Sequence, residues 1–531
     1  MKRRTFVVSS LIAGVTPLVE KTHAKPSGQR ERIFDLEERT VEELQRMMHE
    51  GHLDARALVE GYLARIQAID RGGPHLNSII ELNPDAQAMA AELDRERKAH
   101  AVRGPLHGIC VLIKDNIATG DRMQTTAGSL ALAGSIATRD AHLVARLREA
   151  GAVILGKTNL SEWANIRSSQ STSGWSGRGG LTRNPYALDR TASGSSSGSG
   201  AAIAASLATV AIGTETDGSI VSPASMNGLV GIKPTRGLVS RDGIIPIAQS
   251  QDTAGPMARC VSDAAALLSV IAGSDPADPA TAQAQLEDYV AALRPDALKG
   301  ARLGVVRAVF GENRRVKEVM ELALRILASQ GATIVDPVTI PNAEKYDDSE
   351  LEVLLYELKD GLNRYLAQFA PTAPVKNLAE LIDWNQKHAE VELKFFGQEL
   401  FIKAQAKGDL TSEPYLQALE NNGRYARTEG LDVALREQKL DALIAPTAGP
   451  AALIDLVNGD HFGNSFSSPA AVAGYPHVTV PAGSVFGLPI GLSFVGPAYS
   501  ESRLIGYAYA YEQASKERRP PRFAKSVTLA I

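Results

Sequence analysis

The chain has 531 residues, 44% of them hydrophobic and 22% charged, an ordinary globular composition with enough apolar material for a large core. A formal net charge of −4 carries no basic footprint for nucleic acid. Two cysteines, Cys110 and Cys260, are too few for a disulfide framework and stand in no Cys/His cluster that reads as a metal site; they read as buried free thiols.

The first predicted element is a leader. Lys2, Arg3 and Arg4 precede an apolar stretch over 6–19, and Thr22-His23-Ala24 has the form of a small-x-small cleavage site. That is the layout of a secretory signal peptide, too short to span a bilayer. Arg3-Arg4-Thr5-Phe6 resembles a twin-arginine signal. The expectation is therefore a leader over 1–24 and an exported domain, periplasmic or secreted, over 25–531. No later run reaches the roughly 18 apolar residues of a membrane span.

Residues 36–70 read as helices. Thr40-Val41-Glu42-Glu43 fits a capping box, and Leu58, Tyr62, Ile66 and Ile69 recur at helical spacing behind a possible N-cap, Asp54. A helix is expected over 85–97. Short apolar runs then alternate with helices: a strand over 109–113, a helix over 141–150, a strand over 152–155, a helix over 200–208 and a strand over 210–212. Alternation of this kind predicts βαβ units and a largely parallel, buried sheet. Further strands are expected over 301–306, 333–335, 442–445, 478–480 and 490–495. The charged stretch 348–437 is helical in pattern and poor in strand signals, and reads as a helical segment covering a cleft or as a plain structural layer.

Three polar elements stand out against this background. Thr191-Ala-Ser-Gly-Ser-Ser-Ser-Gly-Ser-Gly200 runs into an Ala-rich helix. A Gly/Ser loop at a helix N-terminus offers free N–H groups and the positive end of a dipole, although a flexible linker has the same composition. Gly213-Thr-Glu-Thr-Asp-Gly-Ser219 leaves the end of the strand at 210–212, and Lys114 ends the strand at 109–113. In α/β folds, sites gather at the carboxyl ends of strands. Taken singly, a strand-end lysine is usually solvated and a serine in a glycine loop usually shapes a turn.

Taken together, these elements resemble the amidase signature family, whose pattern is a Gly-Gly-Ser-Ser-Gly-Gly loop, then Gly-Thr-Asp-x-Gly-Gly-Ser, with a lysine upstream behind an apolar run. Ser195 and Ser219 lie 219 − 195 = 24 positions apart, as in the family. Leu106-His-Gly-Ile-Cys-Val-Leu-Ile-Lys-Asp115, Gly156-Lys-Thr-Asn-Leu160, Thr182-Arg-Asn-Pro185, Gly231-Ile-Lys-Pro-Thr235, Asp252-Thr-Ala-Gly-Pro256, Ala445-Pro-Thr447 and Gly487-Leu-Pro-Ile-Gly491 extend the likeness over almost the whole chain. Within the family, the serine-rich first loop and Thr-Glu-Thr-Asp-Gly-Ser in the second make it most similar to the peptide amidases, which remove ammonia from C-terminally amidated peptides.

The resemblance implies one large α/β domain with a twisted mixed sheet of about ten or more strands covered by helices, and neither metal nor organic cofactor. It implies Ser219 as the nucleophile that forms an acyl-enzyme, Ser195 as a bridging serine after a cis bond from Gly194, and Lys114 as the base. Gly194 and Ser196 are the supporting loop. Backbone N–H groups of Thr216, Asp217, Gly218 and Ser219 form the oxyanion hole. Two departures matter. Asp217 stands where the family has glycine, so a carboxylate lies close to a developing oxyanion. Val221 replaces the usual arginine two positions after the nucleophile.

Other readings are available. Gly194-Ser-Ser-Ser-Gly198 formally fits the Gly-x-Ser-x-Gly elbow of α/β-hydrolases, with Ser196 as nucleophile and His388, His461 or His477 as the base. A transamidation subunit that releases ammonia for an enzyme acting on tRNA is opposed by the leader. A broad aliphatic or aryl amidase shares the same machinery, and a non-catalytic periplasmic binding protein is opposed by the intact lysine and serines. The partner expected is a small-molecule or peptide amide, with no nucleic acid and no stable membrane anchor. Trp163 and Trp175 read either as pocket lining or as core.

Overall fold

Apolar runs with no polar alternation, Cys110–Lys114 (β2), Val153–Thr158 (β3) and Val210–Glu215 (β6), are buried at every position, as strands covered on both faces must be. The computed structural model describes residues 36–461 and 463–527; the leader expected over 1–24 lies outside them. Around the three runs an eleven-stranded sheet forms in the order β1-β3-β2-β6-β8-β7-β12-β13-β11-β9-β10. The other strands are β1 (Ile79–Leu82), β7 (Val230–Lys233), β8 (Thr253–Ala258), β9 (Arg302–Val305), β10 (Thr333–Val335), β11 (Ala442–Pro446), β12 (His477–Val485) and β13 (Leu488–Val495). A separate pair joins β4 (Trp175–Ser176) to β5 (Gly180–Leu181). Helices flank this sheet, giving the single α/β domain with a mixed sheet that the resemblance implies.

The largely parallel sheet expected from alternation is corrected. Strand pairs β2–β3, β2–β6, β9–β10 and β9–β11 are parallel. Between these two groups the sheet is antiparallel, through β6–β8, β7–β8, β7–β12, β12–β13 and β11–β13, as is the edge pair β1–β3. A strand buried on both faces reads as a continuous apolar run in either direction, so the pattern does not carry polarity. Strands β1, β7 and β8 were also not expected. Glycine and proline interrupt Val-Gly-Ile-Lys and Thr-Ala-Gly-Pro-Met-Ala, and such residues lower the strand signal. Gly255 on β8 is required by close approach: a Cβ there would run into the carbonyl oxygen of Ile232. Gly255→Ala is therefore expected to destabilise the fold by about 1–3 kcal/mol, read as a lower denaturation midpoint with an unchanged slope.

Local signals behaved as their chemistry dictates. Thr40 and Glu43 form the reciprocal capping box on the helix Val41–His49, and the Asp54 carboxylate accepts the Ala57 N–H at 2.7 Å. Asp85 precedes the helix Ala86–Lys98 without capping it, because its carboxylate pairs with Arg122. Cys110 is buried, whereas Cys260 is only partly covered and sits 3.2 Å from the Ser262 hydroxyl. The helix expected over 200–208 runs instead over Ser197–Ala204 and is buried along its whole length. Serine and glycine are poor helix formers, but here Gly198 packs against the carbonyl oxygens of Ser78 and Asn159, where no side chain fits. The Gly/Ser run is thus a core element, not a linker. Residues 347–437 hold the helices Asp347–Phe369, Leu378–Lys387, Ala389–Glu392, Glu399–Gln405, Glu413–Asn422 and Asp432–Glu437, with a π-helical stretch over Gly423–Leu431. Among the described residues no helix is long and apolar enough to cross a membrane.

Candidate active site

Parallel pairing of β2 with β6, Val111 opposite Val210 and Ile113 opposite Ile212, brings their carboxyl ends to one edge of the sheet. Lys114 therefore lies beside Thr214. The buried helix Ser197–Ala204 packs under the same strands, so the loop that precedes it arrives at the same edge. Lys114, Ser195 and Ser196 are fully buried, and Ser219 is 8% exposed. Of the two implied relay serines, Ser219 is the one that solvent reaches.

Lys114 Nζ lies 2.7 Å from Ser195 Oγ, 2.9 Å from Thr214 Oγ1 and 3.1 Å from the Thr214 carbonyl oxygen. An ammonium has three donors and no acceptor; a neutral amine has two donors and one lone pair. Thr214 supplies two acceptors and Ser195 a hydroxyl that both donates and accepts, so the three contacts serve an ammonium and equally a neutral amine whose lone pair faces the Ser195 hydroxyl. Burial supplies the driving force, pulling Lys114 down to about 7 against the raising effect of Asp252 and Glu215. Among the described residues two other lysines are also fully buried. Lys157 donates to the Ile117 carbonyl and to Thr125 Oγ1, and Lys233 to the Pro234 carbonyl. Both are depressed by burial to about 8, but neither meets the serine loop.

The peptide bond Gly194–Ser195 is cis. Gly194 is packed against the side chains of Ser161 and Ser173, and the Ser195 carbonyl accepts the Ser161 N–H at 3.1 Å. Ser196 Oγ donates to the Thr214 carbonyl and accepts the Thr214 N–H, both at 3.2 Å. Its backbone N–H donates to the Ser219 carbonyl at 3.2 Å. Ser196 therefore ties the serine loop to β6 with both capacities of its hydroxyl used. None of the three histidines named for it is a partner: His477 meets Ser493, His388 stacks on Trp384, and His461 faces Asp455.

The loop after β6 is held from both ends. Glu215 Oε2 accepts the N–H groups of Ile220 at 2.7 Å and Val221 at 3.0 Å, fixing the chain just past Ser219. Thr216 Oγ1 donates to Asp252 Oδ1 at 2.5 Å, and Asp252 also accepts the Ile247 and Ala248 N–H groups. Gly218 has φ +77°, a left-handed turn that glycine adopts without strain. Asp217 turns toward the hydroxyls of Ser467 and Ser468, and burial raises its carboxyl toward the neutral form. Glu350, close by, is pushed up to about 8 by burial and by Asp217. The Asp217 carboxyl is thus aimed at the Ser467 and Ser468 hydroxyls, with its pKa shifted upward by burial.

Several residues of this site carried no assignment in the sequence: Thr214, Glu215 and Asp252, which lie inside quoted motifs, and Asn116, whose amide donates to Thr214 Oγ1 at 3.0 Å. Their motif membership was legible, but which atom each holds depends on strand pairing. Trp163 and Trp175 are mostly buried and pack on the helical segment, Trp163 edge-on to Phe401 and Trp175 edge-on to Phe395 and Phe396. Val221 is buried in the core.

Comparison with known proteins agrees with this picture. Residues 57–505 match the protein family described as Amidase. A probable amidase of Arabidopsis thaliana is 43% identical over 502 residues, covering 92% of each chain. The native peptide amidase of Stenotrophomonas maltophilia is 54% identical, with a TM-score of 0.89 over 92% of this chain and 99% of that one. A second structure of a peptide amidase, bound to the competitive inhibitor chymostatin, is also 54% identical, with a TM-score of 0.90 over 92% and 100%.

Proposed function

Because the chain belongs to the amidase family, we propose that it is a serine amidohydrolase acting through an acyl-enzyme, with C-terminally amidated peptides as substrates. The observation that carries the mechanism is the hydrogen-bond set of Lys114, two acceptors and one hydroxyl around a buried amine. The observation that carries the substrate is 54% identity to a peptide amidase over almost the whole of both chains.

In this reading neutral Lys114 takes the proton of Ser195, Ser195 takes that of Ser219, and Ser219 Oγ attacks the carboxamide carbon. The C=O electrons move to oxygen, where the N–H groups of Thr216, Asp217, Gly218 and Ser219 stabilise the charge. The C–N bond then breaks, and the relay run backwards delivers the proton that lets ammonia leave. Water repeats the sequence on the acyl-enzyme and frees the acid. The same scheme needs Lys114 uncharged. The value of kcat/KM is therefore expected to rise about tenfold per pH unit below about 7 and to level above it, in initial rates across buffers of constant ionic strength.

The reading is tested by ammonia release from amidated dipeptides and longer acylated forms, with and without chymostatin. Release that chymostatin suppresses supports it. Activity confined to simple aryl or fatty amides would remove the peptide substrate and leave the amidase. The leader over 1–24 is proposed to direct export; N-terminal sequencing of the mature protein is expected to begin just after Ala24, and retention of Met1 in the cytosol would contradict it.

A further inference from the structure

Three consecutive residues that are not glycine, Trp163, Ala164 and Asn165, have φ of +49°, +53° and +73°. Side-chain-bearing residues visit this region singly and at a cost, so such a run persists only where its surroundings hold it. The turn begins two residues after Ser161, whose N–H donates to the Ser195 carbonyl and whose hydroxyl packs against Gly194. Ser161 thus joins the turn to the loop that carries Ser195.

What holds the turn comes largely from the helical segment. Phe401 meets the Trp163 ring edge-on at 5.8 Å, and the Leu400 N–H donates to the Arg167 carbonyl at 3.2 Å. Arg167, just past the turn, is completely buried and lies 2.6 Å from Glu162 and 3.5 Å from Glu392. Its guanidinium sits 4.3 Å above the Phe396 ring. Glu392 Oε1 accepts the Leu130 N–H at 2.7 Å, and Glu162 Oε2 accepts the Gly177 N–H at 2.6 Å. Both carboxyls are buried with a single guanidinium between them, so removing either partner disturbs a desolvated charge cluster. Burial, opposed by Arg167 and reinforced by Glu392, raises Glu162 well above the usual carboxylate range.

We propose that Glu392 and Phe401 are positioning residues for the reaction: through Arg167, Glu162 and Trp163 they clamp the left-handed turn and so set the place of Ser195. The helical segment on this view is part of the catalytic apparatus without touching substrate. The inference rests on the assignment of Ser195 to the relay.

The test compares Glu392→Ala, Glu392→Gln and Phe401→Ala with wild type on one amide substrate, each alone and with Ala164→Gly, which lets the turn adopt its φ without strain. Glu392→Ala and Phe401→Ala are expected to lower kcat about tenfold or more with KM within about twofold. Glu392→Gln is expected to keep most of kcat, since its oxygen still accepts from Leu130 and the Arg167–Glu162 pair stays in place. Adding Ala164→Gly is expected to restore kcat severalfold in the alanine variants. Should Glu392→Ala not fold, Phe401→Ala with and without Ala164→Gly reads the same point. An alanine variant with wild-type kcat, or one that Ala164→Gly does not improve, overturns the proposal. Ser195→Ala separates the two levels: if it keeps wild-type activity, the relay assignment itself has failed.

Discussion

Ser219→Ala is expected to lower kcat for amide hydrolysis by about 10,000-fold or more, with the fold intact. Losing a nucleophile that acts as a unit with its base removes nearly everything the unit supplies, leaving what binding and the oxyanion site contribute alone. The fold should survive because Ser219 is not what holds its loop. Glu215 anchors Ile220 and Val221, and Ser196 takes the Ser219 carbonyl through its backbone. The comparison that gives the result its meaning is Ser196→Ala. That hydroxyl is buried and bonded twice to Thr214, so its loss takes the side-chain acceptor from the Thr214 N–H and leaves the Thr214 carbonyl to Lys114, at a cost of about 1–3 kcal/mol. The expected outcome is lower stability with a smaller drop in kcat. An α/β-hydrolase elbow predicts the reverse order. Melting curves and ammonia release on the two variants decide between them.

Lys114→Met is expected to lower kcat at neutral pH by about 1,000-fold or more, and to change the pH dependence of stability in a defined direction. Methionine has nearly the length of lysine and fits the buried site, but its thioether sulfur is too weakly basic to take the Ser195 proton. For stability the sign follows from burial. In the folded protein Lys114 titrates near 7; in the unfolded chain it titrates near 10.4. Between those values the unfolded chain holds a proton that the folded one has released. This lysine's contribution to stability therefore improves as pH rises from about 7 toward 10 and is least favourable below 7. The variant loses up to one proton's worth of slope, about 1.4 kcal/mol per pH unit, over that window. Denaturant titrations of both proteins at pH 7 to 9 measure it. Parallel lines would mean that Lys114 is already charged in the folded state, which would remove the base from the proposed relay.

Lys114, Ser195 and Ser219 were singled out by a family resemblance in motif order and spacing, and the structure puts Lys114 2.7 Å from Ser195 and ties the Ser219 carbonyl to the Ser196 N–H. The supporting atoms were not legible for a definite reason. Thr214 becomes the partner of Lys114 only through the pairing of β2 with β6, and Asp252 reaches Thr216 only because β8 runs antiparallel beside β6. Asp217 is a sharper instance. Its identity suggested repulsion at the oxyanion site, whereas its surroundings turn it toward Ser467 and Ser468 and burial shifts its pKa upward.

The amino-acid sequence by itself determined the caps at Thr40 and Asp54, several of the buried runs, the order of the three chemical elements and the family they resemble, because each of these is a matter of local chemistry or of order along one chain. Tertiary structure alone decided strand polarity, the conversion of the Ser/Gly run into a buried helix, the bonding of Lys114 and the left-handed turn at Trp163. Those depend on contacts between residues far apart in the chain, such as Trp163 with Phe401 or Gly255 with Ile232. Burial, which lowers the Lys114 pKa and raises that of Asp217, is a property of the whole packed molecule that no local window contains.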